Sequence, residues 1–172
     1  GLKKNYIMTV AWVFPGQGSQ KIGMANKIIN LPNAKNRFNY ASGIFERNLF
    51  EICEKTSDIK NLSYDLNNTK NTQICLFLVE SVLLDSLKEK GFKPNYIAGH
   101  SLGEITALYC ADVLSFEDSV SLIKVRSELM ANSAKGSMAA LIGFDRNQLD
   151  LLLEEIDDLV IANDNSSSQV VL

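Results

Sequence analysis

The stretch Tyr96-Ile97-Ala98-Gly99-His100-Ser101-Leu102-Gly103-Glu104 decides how this chain folds. The apolar run at 96–98 predicts a buried strand, and the apolar residues from 102 to 111 predict a helix. Where a strand turns directly into a helix, the residue at the turn is held in a strained conformation with its side chain exposed. Two residues away on either side, a side chain would clash with neighbouring backbone, so glycine fits there. The pattern Gly99-x-Ser101-x-Gly103 therefore predicts a nucleophile elbow centred on Ser101. An ordinary strand–turn–helix connection is the alternative.

The predicted helix also gives Ser101 a favourable electrostatic position. Its hydroxyl would lie at the positive, N-terminal end of the helix. The backbone N–H of Leu102 would then point at the oxygen that gains negative charge when Ser101 attacks a carbonyl. Leu102 is accordingly a predicted oxyanion-hole donor.

Composition restricts the class of protein. The chain has 172 residues, of which 46% are hydrophobic and 22% charged, as is typical of globular proteins. A net charge of −3 argues against a nucleic-acid partner, and no apolar run approaches the ~20 residues of a membrane span. The three cysteines are widely spaced and form no C-x-x-C motif (Cys53, Cys75 and Cys110). They predict buried free thiols in a reducing, cytoplasmic compartment, with no disulfide and no metal site.

A second strand with a functional loop is predicted near the start of the chain. The apolar run from Met8 to Phe14 is typical of a parallel strand buried on both faces. Pro15-Gly16-Gln17-Gly18-Ser19-Gln20 follows directly and predicts a tight loop whose N–H groups could point at a ligand. A plain strand-to-helix loop is the alternative. A phosphate-binding P-loop is excluded, because no Gly-Lys-Ser/Thr follows.

The remaining pattern of the first 134 residues is mainly helical. Helices are expected near 21–30 and 44–55, a surface loop at 61–71, and a buried helix at 72–90 closed by Gly91. Ser115-Phe116-Glu117-Asp118 predicts a capping box that opens a helix running to about 132. Strands alternating with helices indicate an α/β fold.

Arg126 stands out on that last helix. Leu122, Leu129 and Met130 lie three and four residues away from it, so the arginine is predicted on an apolar face. A guanidinium there needs a partner, since an unpaired buried charge is costly. It could reach the surface, pair with a core carboxylate, or hold a substrate carboxylate bidentately.

From residue 135 onward the pattern changes to β-α-β-β. Strands are expected at 138–144, at 159–162 and from 169, with a polar turn at 163–168. Asp145 is predicted to cap the helix between the first two, whose apolar face is Leu149, Leu152, Leu153 and Ile156. We therefore expect residues 8–134 to be the N-terminal part of an α/β core and residues 135–172 the beginning of a small, incomplete unit. We also expect residues 1–7 to be an extension and the chain to be truncated.

Two motifs together resemble those of the malonyl-CoA:acyl carrier protein transacylases. They are VFPGQGSQ, from Val13 to Gln20, and GHSLGE, from Gly99 to Glu104. These enzymes are the acyltransferases of bacterial-type fatty acid synthesis and are related to polyketide synthase (PKS) acyltransferase domains. The likeness runs from residue 8 to 172; Ile105 departs from it, where relatives often have an aromatic residue. The resemblance implies an α/β-hydrolase-like parallel sheet core followed by the start of a ferredoxin-like subdomain.

The resemblance implies a ping-pong acyl transfer without a cofactor. Malonyl-CoA would acylate Ser101, and the pantetheine thiol of acyl carrier protein would then accept the malonyl group. The resemblance assigns the oxyanion hole to the backbone N–H groups of Gln17 and Leu102, and the malonyl carboxylate to Arg126. The protein is expected to be a monomer.

Two further residues are assigned to the substrate pocket by the same resemblance. Gln73 would line it; the alternative is a helix-start residue bonded to backbone. His100 would belong to the pocket without being the general base, because a residue next to Ser101 on an elbow points away from it.

The resemblance also places the family's general base, a histidine, beyond the small subdomain. Since His100 is the only histidine here, the 172 residues are expected to be inactive alone. They are also expected to be only marginally folded, because the small unit stops at its third strand and leaves its apolar helix face partly uncovered. Three alternatives remain: a PKS-type acyltransferase, a serine carboxylesterase of the α/β-hydrolase class, and a non-catalytic module that binds carrier protein. Arg126 and the 15–20 loop argue against the esterase.

Overall fold

The computed structural model describes residues 9–54, 62–133 and 136–172. The described residues divide between 133 and 134 into two compact units. In the first unit the elements are β1 (Ala11–Phe14), α1 (Ala34–Phe45), α2 (Leu49–Glu54), a 3-10 helix (Leu62–Tyr64), α3 (Thr69–Glu89), β2 (Tyr96–Gly99), α4 (Leu102–Cys110) and α5 (Phe116–Ala131). In the second they are β3 (Ala140–Ile142), α6 (Arg146–Glu155), β4 (Asn163–Ser166) and β5 (Gln169–Val171). The fold is α/β, as predicted.

The first unit is built on two parallel strands. β1 pairs with β2 in a register that runs from Ala11 opposite Tyr96 to Phe14 opposite Gly99. Parallel pairing brings the carboxyl ends of both strands to the same edge of the sheet. The Pro15–Gln20 loop and Ser101 therefore leave the sheet side by side.

The prediction that β1 is buried on both faces was wrong, and β2, predicted as a buried strand, is also exposed on one face. Val13 is 73% exposed and Tyr96 is 67% exposed, whereas Trp12 and Ile97 are half-buried. Side chains alternate across a strand, so a continuous apolar run can still have one covered and one uncovered face. Helix α4 contacts both strands.

The segment after the loop differs from the prediction. Residues 22–30 form successive turns rather than a regular helix, with i→i+3 hydrogen bonds such as Met24 N to Lys21 O at 3.1 Å. Gly23, at φ +80°, interrupts helical geometry there. Helix α1 was missed, although its buried residues are spaced by three and four: Ala34, Phe38, Ala41 and Phe45.

The expected loop at 61–71 was only partly correct. Residue 61 lies outside the described residues, and α3 already begins at Thr69, capped by the Asn68 side chain. Asn71 is fully buried in that helix. Its amide donates to the carbonyls of Ser63 (3.0 Å) and Asp65 (2.8 Å), so a polar residue that suggested a loop instead ties the loop to the helix.

The helix expected at 44–55 was only partly correct, because α1 ends at Phe45, Glu46 has φ 54° and α2 covers Leu49–Glu54. The helices expected at 72–90 and from Ser115 to about 132 were confirmed. α3 ends before Gly91, whose φ of +83° closes the helix, and α5 begins at the Ser115 cap, which accepts from the Asp118 N–H at 3.0 Å. The core lies where α3 packs against its neighbours, and its large buried side chains include Phe38, Leu49, Ile52, Ile74, Phe77, Leu78, Leu102 and Ile123. The three cysteines are free and buried, as predicted.

One carboxyl group of α3 is buried without full hydrogen bonding. Thr106 donates its hydroxyl to Glu80 Oε2, while Glu80 Oε1 is buried with no partner among the described residues. Burial raises the pKa of Glu80 to about 7, and the Thr106 hydrogen bond opposes that shift. Glu80 lines a cavity of about 280 Å³ beside Trp12 and Phe14.

The second unit is a three-stranded antiparallel sheet of order β3-β5-β4 with helix α6. As predicted, Asp145 caps α6, accepting from Gln148 N at 3.0 Å. The strand expected at 159–162 was wrong: β4 occupies Asn163–Ser166, in the expected polar turn, because those residues pair with β5. Of the predicted α6 face, Leu149 is buried, whereas Leu152 and Ile156 are exposed.

No helix among the described residues has both the length and the apolar character needed to cross a membrane.

Candidate active site

Ser101 occupies a sharp turn between β2 and α4. Its backbone has φ 55° and ψ −110°, a region that non-glycine residues rarely adopt and that costs about 1–3 kcal/mol. The flanking glycines are required by close packing of backbone on backbone. A Cβ on Gly99 would lie 2.1 Å from the Gly103 carbonyl, and a Cβ on Gly103 would lie 2.1 Å from Phe14 O. The ends of β1, β2 and the start of α4 therefore fix Ser101 in place.

The loop after β1 lies against the same turn. A Cβ on Gly16 would lie 2.6 Å from His100 O and 3.2 Å from Ser101 Cβ. The loop is held by Ser19, whose hydroxyl donates to Gly16 O at 2.9 Å. The backbone N–H of Gln17 follows next in this loop. Within the part of the chain that the structure describes, no hydrogen bond is found from the N–H of Gln17 or of Leu102.

Arg126 joins Ser101 from helix α5. Its Nη2 donates to Ser101 Oγ at 3.0 Å, and its Nη1 donates to Gln73 Oε1. The side chain is half-buried. No ion pair between Arg126 and a carboxylate occurs among the described residues, so the core-carboxylate alternative is not seen. The hydrogen-bond partners of the cation within the described ranges, the Ser101 hydroxyl and the Gln73 amide, are both neutral.

Gln73 is fully buried on α3 and links Arg126 to the loop. Its Nε2 donates to Thr69 Oγ1 at 2.9 Å and to Met130 Sδ at 3.3 Å. Thr69 Oγ1 in turn donates to Gln17 Oε1 at 3.0 Å. The Gln73 amide therefore bonds to side chains, and not to backbone as the alternative prediction had it.

Thr69 was not singled out from the sequence. The signal available was its position four residues before Gln73, which places both on one face of α3.

A cavity of about 910 Å³ opens beside Ser101. Its walls come from β2, α4 and α5 and are mostly apolar. The described lining residues are Ile97, Ala98, Gly99, Ser101, Glu104, Ile105, Ala107, Leu108, Ala111, Leu122, Val125, Arg126 and Leu129. His100 is exposed and is not among them; it lies near the loop, with its Nδ1 3.3 Å from where a Cβ on Gly16 would be.

This arrangement suits nucleophilic attack on a carbonyl. A serine hydroxyl on a strained backbone stands at a helix N-terminus, next to the Leu102 N–H, and the loop that contains Gln17 lies beside it. The guanidinium of Arg126 stabilises negative charge but cannot accept a proton, since it has donors only. The proton of Ser101 must therefore pass to another group.

Residues 11–172 match the family model described as an acyl transferase domain, and the chain belongs to this family. A malonyl CoA-acyl carrier protein transacylase from Synechocystis sp. is 46% identical over 165 residues, which are 96% of this chain and 54% of that protein. The chain thus spans about half the length of this curated relative.

Solved structures of malonyl-transacylases are also similar to this chain. The crystal structure of a malonyl-CoA:ACP transacylase from Synechocystis sp. PCC 6803 matches with a TM-score of 0.86 and 46% identity, over 95% of this chain and 54% of that one. A type II PKS acyl-carrier protein in complex with its malonyl-transacylase matches with a TM-score of 0.81 and 32% identity, over 95% of this chain and 54% of that one.

Proposed function

We propose that the protein to which this chain belongs is a malonyl-CoA:acyl carrier protein transacylase of fatty acid synthesis, with Ser101 as its nucleophile. The observation on which this rests is the hydrogen bond from Arg126 Nη2 to Ser101 Oγ, which sets a cation beside the nucleophile. A malonyl group is an acyl group with a free carboxylate, so a site that transfers it needs both features at once. Neither an esterase nor a binding module has that need.

The first half-reaction follows from the site. Ser101 Oγ forms a bond to the thioester carbonyl carbon of malonyl-CoA, and the bond from that carbon to sulfur breaks. The backbone N–H groups of Gln17 and Leu102 hold the oxyanion of the tetrahedral intermediate. A general base takes the Ser101 proton and returns a proton to the coenzyme A thiolate. In the second half-reaction the pantetheine thiol of acyl carrier protein attacks the Ser101 ester and releases Ser101.

Arg126 gives the site its acyl preference. A guanidinium can hold a carboxylate through two parallel N–H groups, and such charge-assisted bonds are roughly twice as strong as neutral ones. Gln73 orients the guanidinium by accepting from Nη1. An acetyl group has no carboxylate for Arg126 to hold. His100, which the resemblance assigns to the pocket, is given no role as base.

The proposal extends to fold, partners and location. The Ser101 turn is taken as the nucleophile elbow of an α/β-hydrolase-like core at 8–134, and residues 135–172 as the beginning of a ferredoxin-like subdomain. The solved complex of an acyl-carrier protein with its malonyl-transacylase supports acyl carrier protein as acceptor. The same complex favours a second candidate, a PKS-type acyltransferase that uses the same site for a different carrier. A monomeric, cytoplasmic enzyme that needs no cofactor remains a prediction.

The test is the product distribution of the full-length gene product with malonyl-CoA and holo acyl carrier protein. Mass spectrometry of the carrier should show the malonyl adduct, and free malonate should form far more slowly. Malonate released faster than malonyl carrier would favour the esterase. Binding of carrier without any transfer would favour the binding module. Parallel reactions with carriers of fatty acid and polyketide synthesis separate the two transacylase candidates.

A further inference from the structure

Thr69 lies at the junction of the two halves of the site. Its hydroxyl accepts a hydrogen bond from Gln73 Nε2 at 2.9 Å and donates one to Gln17 Oε1 at 3.0 Å. Gln73 continues to Arg126, and Arg126 to Ser101. One chain of hydrogen bonds therefore connects the loop that contains Gln17 with the guanidinium.

The direction of every bond in this chain is set by chemistry. A guanidinium has only donors, so Gln73 must turn its carbonyl oxygen toward Arg126. The NH2 group of Gln73 then faces Thr69, whose oxygen must accept. The single hydroxyl hydrogen of Thr69 is left for Gln17 Oε1. Without an acceptor at position 69, the Gln73 NH2 group would keep only the weak thioether acceptor Met130 Sδ among the described residues. The amide could then rotate and turn its NH2 group toward the N–H donors of Arg126.

The geometry points to Thr69 as a positioning residue for acyl selection, which rests on the proposed function. Thr69 fixes the orientation of the Gln73 amide, and through it the guanidinium that receives the substrate carboxylate. Its second bond fastens the Gln17 side chain, and so couples the oxyanion loop to the same relay. Because Gln73 is fully buried, an amide that loses this partner gains no water in exchange.

The variant that tests this is Thr69→Val, which keeps the shape of the side chain and removes the hydroxyl. In the full-length gene product we expect the ratio of kcat/KM for malonyl-CoA to that for acetyl-CoA to fall about 5-fold to 30-fold, the effect of one or two lost hydrogen bonds. Thr69→Ser should restore the ratio to within about twofold of wild type, because it keeps the hydroxyl.

Thr72→Val is the matched control on the same helix. In the part of the chain that the structure describes, the Thr72 hydroxyl donates to backbone carbonyls alone, those of Leu66 at 2.6 Å and Asn68 at 3.0 Å. Its loss should lower the melting temperature without changing the malonyl-to-acetyl ratio. A ratio that falls equally in Thr72→Val and Thr69→Val would mean that both act through helix stability, and would overturn the inference.

A double-mutant cycle tests whether the effect of Thr69 on acyl selection passes through Gln73. In a Gln73→Ala background, Thr69→Val should no longer change the malonyl-to-acetyl ratio, since the residue that transmits the effect is gone. The inference is wrong if Thr69→Val lowers kcat/KM equally for malonyl-CoA and acetyl-CoA. It is also wrong if the effect of Thr69→Val on the ratio persists in the Gln73→Ala background. Wild-type protein that does not use malonyl-CoA at all would instead refute the proposed function, and this inference with it.

Discussion

Replacing Arg126 by alanine should separate malonyl from acetyl transfer. With an effective dielectric constant of about 20, opposite charges about 4 Å apart attract by about 4 kcal/mol, and truncating one partner of a buried charge pair costs about 2–5 kcal/mol. Arg126 is half-buried, which places the expected loss near the lower end of that range. We predict a loss of about 30-fold to 300-fold in kcat/KM for malonyl-CoA. For acetyl-CoA, the substitution removes only the 3.0 Å hydrogen bond from Arg126 to Ser101 Oγ. The kcat/KM for acetyl-CoA should therefore fall by less than about tenfold.

The assay is single-turnover acylation of the full-length gene product with each thioester. Arg126→Lys should give an intermediate malonyl rate, because lysine keeps the charge but loses the two-pronged geometry. Lys124→Ala is the control for removing a cation from the same helix: Lys124 Nζ donates to Ile44 O at 2.8 Å and not to the site. It should leave the malonyl-to-acetyl ratio unchanged. Equal losses for the two substrates in Arg126→Ala would show that Arg126 has a structural role and no role in selecting the acyl group.

Two further predictions concern stability. The pKa of Glu80 is raised to about 7 in the folded protein, so the folded state binds more protons than the unfolded state and stability falls as pH rises from about 4.5 to 7. Glu80→Gln keeps an acceptor for Thr106; in urea unfolding it should stabilise the protein by about 1–3 kcal/mol at pH 8 and by little at pH 4, and an equal effect at both values would contradict the assignment. Gly103→Ala should destabilise by about 3 kcal/mol or more, because its Cβ would meet Phe14 O at 2.1 Å. The control Gly43→Ala, in the interior of α1 with open space around it, should stabilise by about 0.5–1 kcal/mol, and equal melting temperatures for the two glycine variants would refute the packing argument.

Features that depend on neighbouring residues in the chain were predictable. The turn at Gly99–Glu104 follows from steric demands that act within a few residues, and so does the cap at Ser115. Arg126 could be placed on a helix face by spacing, but its partners could not be named. Gln73 is 53 residues away from it, and only the packing of α3 on α5 brings the two together.

The errors share a physical cause, which is that coverage and pairing are long-range properties. The apolar run ending at Phe14 does not determine how many layers of the fold cover the strand, so Val13 was wrongly expected to be buried. Polar residues 163–166 favour a turn by local preference, yet β5 supplies a pairing partner that makes them a strand. Thr69 was overlooked for the same reason, because its importance depends on Gln17, a residue 52 positions earlier.

In the proposed reaction Ser101 accepts a malonyl group. Intact-mass spectrometry of the full-length gene product after brief exposure to malonyl-CoA, followed by peptide mapping, tests it most directly. We expect one malonyl adduct, located on Ser101, absent from Ser101→Ala and discharged on addition of holo acyl carrier protein. A malonyl adduct that persists in Ser101→Ala, or that maps to another residue, would contradict it.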